Sequence, residues 1–242
     1  MVLLVGNWKM APEKAKDALS LAKKVQVLAR THKKNIKMVI CVPGVHLSAL
    51  SKVVKAPLSL GGQGISPSNE IAQTGRESAG MIASYGASYC IVGHSESRAR
   101  GESDTDVAHA TQLLLQKKVT PIVCIGEKER DAHGWYLSSV KSQVEAVIGA
   151  LPKQLLKKLV FAYEPVWAIG KDALREATAV ECREMIIFIR KIIADASDEK
   201  VAKAVSILYG GSVDENNGAS FIDQGEADGL LPGRLSLDPK RF

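Results

Sequence analysis

The chain has 242 residues, 46% hydrophobic and 24% charged, the balance of a globular protein with a sizeable core. No apolar run approaches the roughly 18 residues of a membrane span. Thirty-two basic residues against 26 acidic ones leave a net charge of +6 and a pI near 9.1. They are scattered through helix-patterned segments and aromatics make up only 5%, so no basic stripe with stacking rings marks a nucleic-acid surface. An anionic small molecule is the partner this charge suits.

Met1 to Val5 is apolar but lacks a basic leader and a cleavage site. Val2–Trp8 reads as the first strand, and the amphipathic stretch Pro12–Arg30 follows, with Pro12 in its first turn. Ile36–Val42, Leu58–Gln63, Ser88–Val92, Thr120–Ile125, Leu159–Glu164, Ala204–Tyr209 and Ala227–Leu231 read as seven more strands. Between them lie helix-patterned stretches such as Ser78–Tyr85, Asp104–Lys118, Gln143–Ala150, Ala177–Ala194 and Glu215–Gln224, the last capped by Asp214. The strands are apolar on both faces, which is the pattern of a parallel sheet covered by helices. Eight β-then-α units without a linker predict an α/β fold, one (β/α)8 barrel domain over residues 1–242, with a doubly wound open sheet as the alternative. With the sequence running only to Phe242, the last barrel helix is expected to be very short or missing.

Cys41, Cys90, Cys124 and Cys182 have no zinc-like spacing, and three of them fall in apolar strand-like runs. They read as small buried hydrophobes in a reducing compartment, so the expected location is the cytoplasm.

In a barrel of this kind chemistry gathers where the strands end at their carboxyl side. The first strand delivers Asn7-Trp8-Lys9, and alternation predicts Asn7 and Lys9 on one face. The fourth delivers Gly93-His94-Ser95-Glu96, where His94 presents a ring nitrogen and Glu96 is placed to pair with Lys9 or to orient a neighbouring group. The sixth delivers Glu164, an acid leaving a buried strand with Pro165 behind it, which is how a general base is mounted. A salt-bridged acid at a strand end is the bland alternative. The seventh and eighth end in Tyr209-Gly210-Gly211-Ser212 and Leu230-Leu231-Pro232-Gly233-Arg234, glycine-rich turns whose N–H groups suit a phosphate.

Lysine, histidine, glutamate and a phosphate cradle in that chain order resemble the triosephosphate isomerase family. The resemblance covers essentially the whole chain, through Asn7-Trp8-Lys9-Met10, Gly93-His94-Ser95-Glu96, Cys124-Ile125-Gly126-Glu127, Tyr163 to Gly170 and Tyr209-Gly210-Gly211-Ser212-Val213. It implies a triose phosphate substrate, with Glu164 as base, His94 as electrophile at the carbonyl and enediolate oxygens, and Lys9 as electrostatic stabiliser positioned by Asn7. It further implies that backbone groups of Gly170, Ser212, Gly233 and Arg234 hold the phosphate, that no metal or organic cofactor is needed, and that the loop Ile65–Glu77 makes a homodimer.

The chain departs from the family pattern in several loops. Lys171-Asp172-Ala173-Leu174-Arg175-Glu176 makes the lid after the sixth strand two residues longer, and a lid that closes but grips the phosphate differently is expected. The loop Ser97–Glu102 is one residue short, Gln63-Gly64 replaces a usual Gln-Asn, Pro232 a usual valine, and Ala11-Pro12 a usual Asn-Gly. Another phosphosugar barrel, such as an epimerase, would bring metal ligands or a different acid–base pair. A degenerate homologue kept as a phosphate-ligand binding or scaffold protein would have lost a chemical residue, and none is lost.

Overall fold

The computed structural model describes residues 1–170, 173 and 175–242. Eight strands run in chain order: β1 (Val2–Asn7), β2 (Ile36–Cys41), β3 (Ser59–Gly62), β4 (Ala87–Val92), β5 (Thr120–Ile125), β6 (Val160–Tyr163), β7 (Ser206–Tyr209) and β8 (Gly229–Leu230). Each pairs in parallel with the next, and β8 returns to β1 with Leu4 opposite Leu230. The sheet is therefore the expected closed barrel, and the open doubly wound alternative falls.

Strand alternation sorts the apolar side chains into two cores. Leu3 and Val5, Val39 and Cys41, Ile122 and Cys124, Val160 and Ala162, and Leu208 pack together inside the barrel. Their neighbours Leu4, Ile40, Val123, Phe161 and Ile207 pack outward against the helices. Full burial of each such side chain contributes about 1.5–3 kcal/mol, so both layers hold the barrel closed.

The outer layer is α1 (Ala15–His32), α2 (Gly44–Ser51), α3 (Ala79–Ser84), α4 (Ser95–Arg98), α5 (Asp104–Gln116), α6 (Tyr136–Gly149), α7 (Lys153–Leu156), α8 (Ala179–Ala196), α9 (Glu199–Ala204) and α10 (Gly218–Asp223). In α1 the buried stripe is Ala18, Leu21, Ala22, Val25 and Ala29, the spacing of one helical face. Ser103 opens α5 and Thr178 opens α8, each in a reciprocal capping box with the acid three residues on.

Three helix starts differ from expectation by three residues or more. Pro12 lies outside α1, and its carbonyl is hydrogen-bonded to His46 Nε2 at 2.7 Å instead of opening a helical ladder. The helix expected at Gln143 begins at Tyr136, because Asp131 accepts the N–H groups of His133, Trp135 and Tyr136 from a distance along the chain that no adjacent-cap rule reads. Asp214 caps a turn rather than the helix, accepting from the N–H groups of Asn216 and Asn217, so α10 starts only at Gly218. After β8 comes a 3-10 turn, Arg234–Leu237, and among the described residues no α-helix follows it.

Candidate active site

Glu164 follows Val160 and Ala162 at two-residue spacing, so the alternation that packs those two inside the barrel aims the carboxylate into its mouth. It is only 3% exposed. The room it occupies is made by glycines. A Cβ on Gly210 would stand 2.9 Å from Glu164 Cγ, and one on Gly126 would stand 1.8 Å from the Glu164 carbonyl oxygen. Gly126 is itself held by Gln143: its N–H donates to Oε1 at 2.8 Å, and its carbonyl accepts from Nε2 at 3.0 Å.

Glu164 Oε2 accepts the Ser95 N–H at 3.0 Å, and Oε1 lies 3.3 Å from His94 Nε2. His94 Nδ1 accepts the Glu96 N–H at 3.2 Å, which assigns the ring proton to Nε2. His94 thus presents a donor next to the carboxylate.

Three contacts from Arg98 pin the loop under His94. Nε donates to the Gly93 carbonyl at 2.8 Å, Nη2 to the Cys124 carbonyl at 3.3 Å, and Nη1 to Asp104 at 2.5 Å. Gly93 has φ +70°, and a Cβ there would come within 3.0 Å of the Cys124 carbonyl oxygen.

β1 ends at Asn7, one residue before the expected boundary, and Lys9 has φ +51°. Alternation therefore does not carry Lys9 to the mouth. A left-handed turn does, at a backbone cost of roughly 1–2 kcal/mol for a side chain that is not glycine, and Asn7 Oδ1 steadies it by accepting the Lys9 N–H at 3.0 Å. Lys9 Nζ donates to Glu96 Oε1 at 2.5 Å, the pairing expected from sequence. Burial raises the Glu96 pKa, but the hydrogen bond and charge of Lys9 outweigh it and hold this carboxyl below its ordinary value.

Residues without an assigned part in the sequence reading brace the segment that carries Glu164. Buried Glu127 accepts through Oε1 from Tyr163 Oη at 2.8 Å and from Trp167 Nε1 at 2.7 Å. Burial, and then the Glu127 charge, push the Tyr163 phenol far up, so it stays a donor. Burial, and then the Glu164 charge, likewise push up Cys124 in the barrel below.

A cleft of about 470 Å³ opens at the carboxyl ends of the strands, and Asn7, Lys9, His94, Gly170, Ser212, Gly233 and Arg234 all line it. Glu164 is not among the residues that line the cleft and adjoins it through His94. Among the described residues, the backbone N–H groups of Gly170, Gly211, Ser212, Gly233 and Arg234 find no acceptor within the protein. Unpaired N–H groups along one cleft are what an anion takes up. The expected phosphate grip of the altered lid falls partly on Lys171, Asp172 and Leu174, which lie outside the described residues. The described end of that loop is tied back: Arg175 stands 4.5 Å from the Trp167 ring centroid and reaches both oxygens of Glu181, at 2.5 and 2.9 Å.

The fold and this rim define a (β/α)8 barrel enzyme whose paired carboxylate and imidazole stand beside an anion cradle. The family model described as triosephosphate isomerase matches residues 2–242. The chain is 37% identical to the triosephosphate isomerase of Ruthia magnifica subsp. Calyptogena magnifica, covering 100% of this chain and 96% of that one. It is 38% identical to that of Methylococcus capsulatus, over 99% of this chain and 95% of the relative, and 36% identical to that of Porphyromonas gingivalis, over 99% and 96%. The chain belongs to the triosephosphate isomerase family, and it is an isomerase.

Proposed function

We propose that the protein interconverts dihydroxyacetone phosphate and D-glyceraldehyde 3-phosphate through an enediolate, as a cytoplasmic enzyme of glycolysis and gluconeogenesis. The observation that carries this reading is the 3.3 Å approach of Glu164 Oε1 to His94 Nε2 at the edge of a cleft lined by unpaired N–H groups.

Glu164 takes the proton from C1 of the ketose. The electron pair becomes the C1–C2 double bond, and the carbonyl oxygen takes the negative charge. His94 Nε2–H donates to that oxygen while a proton crosses from the C1 hydroxyl by way of the ring, which ends as it began. Protonated Glu164 then returns its proton to C2, and the C1 oxygen becomes the aldehyde carbonyl. Such positioned acid–base groups contribute roughly 10²–10⁴-fold. Lys9 adds a fixed positive charge facing the developing oxyanion, positioned by Asn7, and a preorganised interaction of this kind is worth about 3 kcal/mol. Gly170, Ser212, Gly233 and Arg234 offer their N–H groups to the phosphate.

We also propose a homodimer through the loop Ile65–Glu77. Ile71 within that loop is 100% exposed, and Met10 after β1 and Val45 in α2 are 93% and 85% exposed. Large apolar side chains set so far into solvent favour a second copy as their cover.

The test is turnover of glyceraldehyde 3-phosphate by the purified protein beside Glu164→Ala. Robust turnover that disappears in the variant is expected. A folded wild type without turnover would remove the isomerase reading and leave a phosphate-ligand binding protein.

A further inference from the structure

The cationic side chains of the cleft are unequally committed. Lys9 Nζ is paired with Glu96 at 2.5 Å. The Arg241 guanidinium makes three contacts to Glu215, at 3.0, 2.9 and 2.6 Å. Arg234 is exposed on the cleft wall and, among the described residues, forms no ion pair or side-chain hydrogen bond. The same wall also carries two acids, Asp214 and Glu176.

A phosphate dianion entering this cleft meets N–H dipoles that bear only partial charge, two cations each shared with a carboxylate, and two further carboxylates. A further positive charge at the cradle offsets part of this carboxylate excess. Arg234 directly follows Gly233, whose Cα is close enough to Lys9 that an added Cβ would stand 3.4 Å from Lys9 Cε. The guanidinium is therefore tethered at the cradle itself, one residue from its glycine. Its planar fork of donors matches two phosphate oxygens at once, which an ammonium does not.

We propose that the Arg234 side chain, beyond its backbone N–H, is a direct phosphate ligand, and that it sets the preference of the site for phosphorylated over unphosphorylated substrates. This rests on the isomerase reading for its substrate but not for the anion it binds. A substrate lacking the phosphate gains nothing from Arg234, so the side chain acts on selectivity through the part of the molecule that does not react.

The experiment compares wild type, Arg234→Ala and Arg234→Lys. Calorimetric titration with inorganic phosphate at low ionic strength is expected to show about tenfold weaker binding in Arg234→Ala, the loss of one charge-assisted contact. Arg234→Lys recovers part of it, and the gap narrows as salt is added. In kinetics, kcat/KM for glyceraldehyde 3-phosphate falls about tenfold further than kcat/KM for glyceraldehyde, mainly through KM. Unchanged phosphate affinity in Arg234→Ala, or equal losses with the two substrates, overturns the proposal. Phosphate titration does not depend on turnover. A wild type that binds phosphate through Arg234 yet isomerises nothing would remove the isomerase reading and leave this one standing.

Discussion

Glu164 is fixed from several directions: Ser95 N–H on one oxygen, His94 on the other, and Gly126 and Gly210 beside its own backbone and methylenes. Such confinement makes its reach the sensitive quantity. Glu164→Asp withdraws the carboxylate by about one methylene, and a misplacement of about 1 Å costs roughly 10²-fold. A fall in kcat of that order is expected with KM little changed, since the substrate is held elsewhere, and with a loss of about 1 kcal/mol for the missing buried methylene. Steady-state kinetics and thermal denaturation check both halves. Near-wild-type turnover would mean that another group is the base. The position of Glu164 was legible in the sequence because it continues a strand pattern and is followed by proline. Arg98, Gln143 and Glu127 were not. Their value lies in partners 26, 17 and 36 positions away, the Cys124 carbonyl, Gly126 and Tyr163, and no local pattern announces such pairs.

Among the elements, the start of α8 is tied through Arg175 and Trp167 to the segment that carries Glu164. Thr178 and Glu181 cap the helix reciprocally, and Glu181 also takes Arg175 and Arg130, the latter at 3.1 Å. Arg175 covers Trp167, and Trp167 is tied to Glu127. The Arg175 hydrogen bond is the largest influence on Glu181, and with the Thr178 bonds it outweighs burial and holds the carboxyl down to about 2. The unfolded chain takes up this proton near pH 4.3, the folded chain only near pH 2. The unfolded state therefore binds the extra proton between these values, and stability falls as pH falls through that window. Wild type is expected to exceed Glu181→Gln in urea-unfolding stability at neutral pH, by a margin that holds down to about pH 4.5 and shrinks below it. A margin independent of pH would show that Arg175 and Thr178 do not hold the Glu181 charge. The start of α8 was legible to within two residues, Ala177 being expected and Ala179 observed. The early start of α6 was not, because its turns from Tyr136 to Ser139 expose polar residues that break the apolar stripe.

For the whole molecule, the eight-unit rhythm made the barrel legible, since strands apolar on both faces have few other architectures open to them. Its mouth was legible only in part. Lys9 reaches it through a left-handed residue, which strand alternation does not foresee. Assembly belongs to this scale too. A groove of about 740 Å³ runs beside the Ile65–Glu77 loop, lined by Gly44, Ile65, Gln73, Arg76, Ser97 and Arg100 among others. A stable interface covers at least about 1,000 Å² in total, and fully exposed Ile71 is the side chain with most to gain as its anchor. Glu in its place would put an unpaired charge where desolvation costs several kcal/mol, while leaving the fold alone because the residue touches no core. Sedimentation velocity over a dilution series is expected to show a wild-type dimer at about 10 μM, the range a standard-sized interface readily reaches, and an Ile71→Glu monomer. Turnover measured on the same samples should fall with the dimer, because the exposed Met10 next to Lys9 loses its cover and the strained turn loses its support. A wild type that sediments as a fully active monomer would sink the homodimer and return Ile71 to the ordinary surface.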